Sequence, residues 1–196
     1  MAQSAQDFYA FTIAYKGIVN RIVTDIEISV AFDPKNAPKT TPTSVKTLAL
    51  WDTGATKSVI TTATVRALGL VPTGTTMVYH AGGSDQRNTY MVNMILPNHV
   101  RIPGVLVTEC ADLVGNFGAI VGMDIINGSD FSISNVNGIT KMTFRIPSIH
   151  AVDYVSEARR IRFSGVGRND PCPCGKLDAS GKPLKFKNCC HKDTAS

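Results

Sequence analysis

Two groups of residues in this 196-residue chain have the types and spacing for chemistry. The first is Asp52-Thr53-Gly54, within the segment LALWDTGATKSVIT at residues 48–61. An ionised carboxylate set between two apolar runs is costly unless it has partners, which makes Asp52 a candidate functional residue. Gly54 permits a tight turn that exposes backbone. A structural alternative stays open: an Asp at the end of a strand also serves simply to cap nearby amides of a turn. The second group is Cys172-x-Cys174 with Cys189-Cys190, flanked by lysines and lacking an apolar core. Four thiolates at this spacing suit one tetrahedral Zn²⁺, and metal binding would then supply much of the folding free energy of so small a module.

Other chemistries fit less well. Position 54 is Gly where a phosphotransfer-type acid pair would need a carboxylate, and there is no P-loop and no GxGxxG. His80, His99, His150 and His191 pair with no nucleophile. Cys110 reads as a small buried hydrophobe. No run approaches the roughly 18–20 apolar residues of a membrane helix. The start of the chain has neither a basic segment nor a long apolar one, so a cytoplasmic location without disulfides is the expectation.

The elements that must position these residues read as an all-β body with one or two short helices. Strands are expected over residues 8–15, 18–32, 45–51, 75–80, 88–96, 105–109 and 119–121, with a polar Pro-containing loop after the second. Residues 61–68 read as a helix with a Thr cap and Gly69 as its stop signal, and residues 123–127 as a helical turn. Ala81-Gly82-Gly83 reads as a hairpin tip, and Asn137-Gly138 joins a second hairpin over residues 130–136 and 139–146. Many short strands with few helices suggest a closed barrel or sandwich.

LALWDTGATKSVIT, the glycine-tipped hairpin and GAIVGMDII (residues 118–126) together resemble, in order and spacing, the retropepsin-like aspartic proteases. The resemblance implies a closed acid-protease barrel over residues 1–147 and a peptide-bond hydrolase. Two carboxylates must then share a proton, one acting as base on water and the other as acid on the carbonyl. The chain has a single Asp-Thr-Gly, and Asp112-Leu113-Val114-Gly115 is no substitute for a second, so the resemblance implies a symmetric homodimer with one Asp52 from each subunit. Thr53 would bond across the two-fold axis. Gly54 and Ala55 would let the substrate backbone approach, and Ala81, Gly82 and Gly83 would form the flap over a peptide or protein substrate. Ile120, Val121 and Gly122 would support the Asp52 loop, with Asp124 structural. Two departures stand out. Retroviral members carry an acid soon after Asp-Thr-Gly-Ala and an Arg after the later glycine, where this chain has Thr56-Lys57 and Met123. In those enzymes, too, both chain ends help build the dimer sheet.

The segment GRNDPCPCGKLDASGKPLKFKNCCHK (residues 167–192) resembles the SEC-C motif, the zinc module at the C-terminus of the SecA ATPase. The resemblance implies Cys172, Cys174, Cys189 and Cys190 as ligands, with His191 as the alternative fourth. Disulfides or free thiols are the non-metal alternative. Fourteen residues (175–188) separate the second and third ligands, more than is usual, and residues 177–182 read as a hairpin insertion that lengthens a loop without moving the ligands. Residues 148–166 read as a linker, either a short amphipathic helix or a solvated connector.

The charge is divided in the same way. Residues 1–156 hold eleven basic and eleven acidic residues, whereas residues 157–196 hold nine basic and four acidic, so the whole formal charge of +5 lies in the tail. With this basic surface, the SEC-C resemblance implies docking of a protein partner, a substrate, or the ribosome and its RNA. An aspartic endopeptidase needing no catalytic cofactor is therefore the expectation, with a non-catalytic dimeric adaptor acting through its zinc tail as the alternative.

Overall fold

The computed structural model describes residues 9–32, 42–80, 83–111, 113 and 115–190. The chain divides into two compact units, Met1–Ile149 and His150–Ser196.

In the first unit, alternating apolar residues make strands and turn residues separate them. The strands are β1 (Tyr9–Ala14), β2 (Ile22–Val30), β3 (Ser44–Trp51), β4 (Val59–Thr61), β5 (Gly74–His80), β6 (Gly83–Leu96), β7 (Val100–Cys110), β8 (Phe117–Val121), β9 (Asp130–Ser134) and β10 (Lys141–Ile146). Two short helices interrupt them, α1 (Thr62–Leu68) and α2 (Met123–Ile126). Strands β2, β3, β8, β4, β7 and β6 are neighbours in that order, and β2 pairs again with β6, which closes a six-stranded barrel with β5 outside it on β6. The expected all-β closed architecture with few helices is the one found. Closure leaves the barrel strands without a free edge. Its core is apolar: Ile28, Ile60, Val92, Met94, Val107 and Val121 are fully buried.

Strands β1, β10 and β9 form a separate three-stranded sheet. Both edges of β10 are therefore taken within its own chain, Phe144 pairing with Phe11 on one side and Phe131 on the other. The apolar face of this sheet meets the barrel through Trp51, whose ring stacks on Phe131 (centroids 5.6 Å, 11° between planes) and tilts against Phe144 (5.3 Å) and Phe11 (6.1 Å). Trp51 is the last residue of β3, so this aromatic cluster anchors the strand that delivers Asp52.

Several sequence expectations on element limits are corrected. Strand β7 begins at Val100, not 105, because Pro103-Gly104 is absorbed as a bulge: pairing shifts between Val92 and Met94, and Gly104 N–H donates to Asn93 Oδ1 (2.9 Å). Strand β6 begins at Gly83 because the outer hairpin is paired to its tip, from Thr89 with Gly74 to Gly83 with His80. The second hairpin is shorter than expected, β9 ending at Ser134 and β10 starting at Lys141. Asn137 and Gly138, at φ of 56° and 73°, make the expected two-residue turn, with Ile139 N–H donating to Val136 O (3.2 Å) in the same register as Lys141 opposite Ser134. The ladder stops short because Thr140 bonds elsewhere, its N–H to Gly17 O (3.0 Å) and its carbonyl to Tyr15 N–H (2.9 Å). Helix α1 carries the expected signals: Thr61 Oγ1 accepts from Thr64 N–H, and Gly69 closes it in the left-handed conformation.

The second unit contains α3 (Tyr154–Arg162), capped by Asp153, whose carboxylate accepts from the N–H groups of Val155 and Ser156. Of the two readings of the linker, the helix is the one observed, and it has no buried residue. The chain after it folds around Phe186, which is buried and packs on Phe163 (5.1 Å). Among the described residues no helix is long and apolar enough to cross a membrane.

Candidate active site and metal centre

Residues 52–58 connect β3 to β4, and their geometry is set by hydrogen bonds to the crossover from β8 into α2. Trp51 is fixed first: its indole N–H donates to Thr24 Oγ1 (2.9 Å) inside the core. The N–H of Asp52 then donates to Val121 O (3.0 Å), and that of Met123 to Ala55 O (2.8 Å). Within the turn, Gly54 N–H donates to Asp52 Oδ1 (2.8 Å) and Ala55 N–H to Asp52 O (3.2 Å). Asp52 is thus half-buried, with one carboxylate oxygen held by a backbone amide, between a buried Trp51 and an exposed Thr53-Gly54.

Gly122 matters by its lack of a side chain. A Cβ there would lie 2.7 Å from the Lys57 carbonyl carbon and oxygen and 2.8 Å from Ala55 O, distances that real Cβ atoms do not adopt. The close approach of the two loops requires glycine.

Asp52, Gly54, Ala55, Val121 and Gly122 are therefore brought together, while Ile120 lies half-buried in β8 and pairs with Leu50 and Val59. Gly83 opens β6 at the tip of the outer hairpin; Ala81, Gly82 and His191 lie outside the described residues. Cys110, expected to be buried, is half-buried at the end of β7, where its carbonyl accepts from Thr62 Oγ1 (3.2 Å).

Sequence reasoning missed two polar groups. Ser58, fully buried, donates its N–H to both oxygens of Asp124 (3.0 Å each) and its hydroxyl to Asp124 Oδ1 (2.7 Å), while accepting from Gly122 N–H (3.0 Å). Glu109 on β7 accepts from Tyr90 OH (2.8 Å) and Thr62 Oγ1 (2.8 Å). The Tyr90 bond is the main cause that holds the Glu109 carboxyl below its ordinary value, while burial raises that of Tyr90. No local pattern marks either group, since each joins residues from separate strands.

In the second unit the sulfurs of Cys172, Cys174, Cys189 and Cys190 all lie within 4.8 Å of one another, with Cys174–Cys189 at 3.4 Å and Cys189–Cys190 at 3.9 Å. No disulfide joins them. Zinc–sulfur bonds of about 2.3 Å in a tetrahedron put the sulfurs about 3.8 Å apart, so the cluster fits a four-thiolate zinc centre. Backbone bonds hold the two halves: Cys172 N–H donates to Leu184 O (2.7 Å) and Cys189 N–H to Phe186 O (3.1 Å). Between them Leu177 bridges to Pro183, and Asp178 accepts from the N–H groups of Ser180 and Lys182, which makes the extra residues a closed hairpin. Burial opposes ionisation of Cys172. The backbone N–H groups of Cys174 and Cys190 and the thiols of the same residues outweigh it and bring Cys172 down to about 6. Hydrogen bonding to Cys172, with burial, pushes Cys190 up to about 12, and a bond with Cys174 raises Cys189. Sulfur ligands bind a metal as thiolates, so binding at this cluster would release protons.

Comparison with known proteins bears on the first unit. Residues 43–125 match the family model described as aspartyl protease. The solved structures similar to this chain include three proteases. With a retropepsin-like aspartic protease from Rickettsia conorii it shares 15% identity (71% of this chain, 96% of that one, TM-score 0.45). With the EIAV protease complexed with the inhibitor HBY-793 it shares 23% (58% and 90%, TM-score 0.41). With the simian foamy virus (mac) protease it shares 16% (53% and 92%, TM-score 0.33). No curated protein matches. The segment that builds the Asp52 turn and its contacts with Gly122 and Asp124 is the part of the chain that matches the aspartyl protease family.

Proposed function

We propose that the chain acts as a homodimeric aspartic endopeptidase in which two copies each supply Asp52. The observation that carries this reading is the Asp52 turn: a half-buried carboxylate, presented at the end of a core strand and held by Gly54 N–H, in the segment similar to aspartyl proteases. One Asp52 is half of the required pair. Across a two-fold axis the second would complete it, and two carboxylates so close share a proton rather than both ionise. The ionised one takes a proton from water as that water attacks the scissile carbonyl, while the protonated one gives its proton to the carbonyl oxygen. Collapse of the tetrahedral intermediate breaks the C–N bond: the amine leaves with a proton from one carboxyl, and the other carboxylate takes a hydroxyl proton of the intermediate as its C=O reforms, which restores the shared proton. Thr53 would bond to its counterpart across the axis. The hairpin of β5 and β6 would cover the substrate and exclude water.

The second unit is proposed as a structural zinc module held by Cys172, Cys174, Cys189 and Cys190. Its basic surface would dock a protein partner or substrate. The metal would fix the fold of this unit and take no part in hydrolysis.

The Gly54 N–H bond to Asp52 also suits a purely structural turn, which keeps a non-catalytic dimeric adaptor as the second reading. Purified protein incubated with a mixed peptide library between about pH 5 and 7 separates the two. Cleavage products read by mass spectrometry should appear with the native sequence and vanish with Asp52→Asn. Equal cleavage by both proteins would rule out the catalytic assignment.

A further inference from the structure

We infer that Ser58 and Asp124 form the clamp that positions the Asp52 turn for catalysis. The inference rests on the protease reading above, but its evidence is separate. Four of the seven residues in the 52–58 connection, Thr53, Gly54, Thr56 and Lys57, are exposed, so the turn has little burial of its own to hold it. Its position depends on bonds to residues 121–124. The leading end is tied by Asp52 N–H to Val121 O and the middle by Met123 N–H to Ala55 O. The trailing end is tied to residues 121–124 by Ser58, through two donors to Asp124 and one acceptor for Gly122 N–H, and to β7 by its carbonyl, which accepts from Thr108 N–H (3.2 Å).

This third tie differs in kind from the other two. A carboxylate acceptor makes bonds roughly twice as strong as neutral ones. Asp124 is exposed, so it keeps its hydration while accepting from a fully buried partner. The Ser58 hydroxyl, bonded on both sides, also satisfies the buried amide of Gly122, the residue whose missing side chain lets the two loops touch. Asp124 touches no reacting atom in this scheme: it is a positioning residue, and acts through Ser58.

Displacing a catalytic carboxylate by about an ångström costs on the order of a hundredfold in rate. Asp124→Ala and Ser58→Ala should therefore each lower kcat by roughly ten- to a hundredfold with KM changed less than about threefold. Asp124→Asn keeps Oδ1, the oxygen that takes both Ser58 donors, and should recover most of that loss. The double variant Ser58→Ala/Asp124→Ala should be no slower than the worse single one, because both break one unit. Kinetics are read at a temperature where circular dichroism shows each variant folded. A second readout is independent of activity: amide exchange by NMR should speed up in Asp124→Ala across residues 52–58 and at Gly122, and stay unchanged in β2, β6 and β7. Faster exchange there in a chain whose native sequence cleaves nothing would uphold the clamp and reject the protease reading. Unchanged exchange over residues 52–58, or kcat within twofold of native in Asp124→Ala, would overturn the clamp.

Discussion

Replacing Gly122 by alanine tests the account of how the Asp52 turn is held, with one methyl group as the perturbation. The backbone at Gly122 has φ −97° and ψ −174°, extended geometry open to any residue, so alanine brings no conformational strain. What it brings is collision. The new Cβ would sit 2.7 Å from the Lys57 carbonyl carbon and oxygen and 2.8 Å from Ala55 O. These are backbone atoms and cannot rotate aside, so the two loops must part by at least about half an ångström to reach ordinary contact. Overpacking of this kind costs about 1–3 kcal/mol. Stretching the Met123–Ala55 and Gly122–Ser58 bonds adds up to about 1 kcal/mol each. A loss of about 1–5 kcal/mol follows, or roughly 3–20 °C in melting temperature for a unit of this size. The protein's single tryptophan, Trp51, adjoins the turn, so its fluorescence during urea or thermal unfolding reports on the right unit. The control is Gly128→Ala, whose Cβ would meet nothing closer than 3.7 Å and should shift stability by less than about 0.5 kcal/mol. A Gly122→Ala protein no less stable than this control would refute the reasoning.

Other perturbations follow from the same structure. Thr24→Val removes the acceptor for the buried Trp51 indole and should cost about 1–3 kcal/mol by denaturation, whereas Thr24→Ser, which keeps a hydroxyl, should cost clearly less. The hydroxyl of Ser148, then Arg145 and the Ile149 amide, hold the Asp130 carboxyl well below the usual carboxylate range. A depressed pKa means stability that is full above the unfolded value near pH 4 and lost as pH falls through the folded one. Asp130→Asn should therefore flatten the decline in stability below about pH 4, and equal acid slopes for the two proteins would count against the assignment. Metal analysis should find about one zinc per chain, and chelation should abolish amide protection between Cys172 and Cys190. Protection that persists in chelator, with thiol reactivity unaffected by zinc, would remove the metal centre.

What was legible in the sequence was local in origin. The limits of α1 follow from Thr61 and Gly69, the hairpins from their glycines, and an all-β barrel or sandwich from many short alternating strands, with the family resemblance pointing to the barrel. Asp52 and the four cysteines were visible by residue type and spacing. Features that depend on distant partners were not. The expected strand starts only at residue 105, after Pro103-Gly104, because it takes Asn93 across the sheet to turn that pair into a bulge. The pairing of Ser58 with Asp124 spans 66 residues, and the Phe11, Trp51, Phe131 and Phe144 cluster joins three separate strands with the end of β3. No periodicity encodes such contacts, since strand order and closure decide them.

The central claim, that activity resides in two facing copies of Asp52, is tested most directly by mixing subunits. Native and Asp52→Asn proteins are combined at constant total concentration, unfolded and refolded together, and assayed for peptide cleavage. If each active unit needs two native carboxylates, activity falls with the square of the native fraction, to about a quarter in an equal mixture. A linear decline, to about half in that mixture, would mean that one Asp52 suffices and would contradict the account.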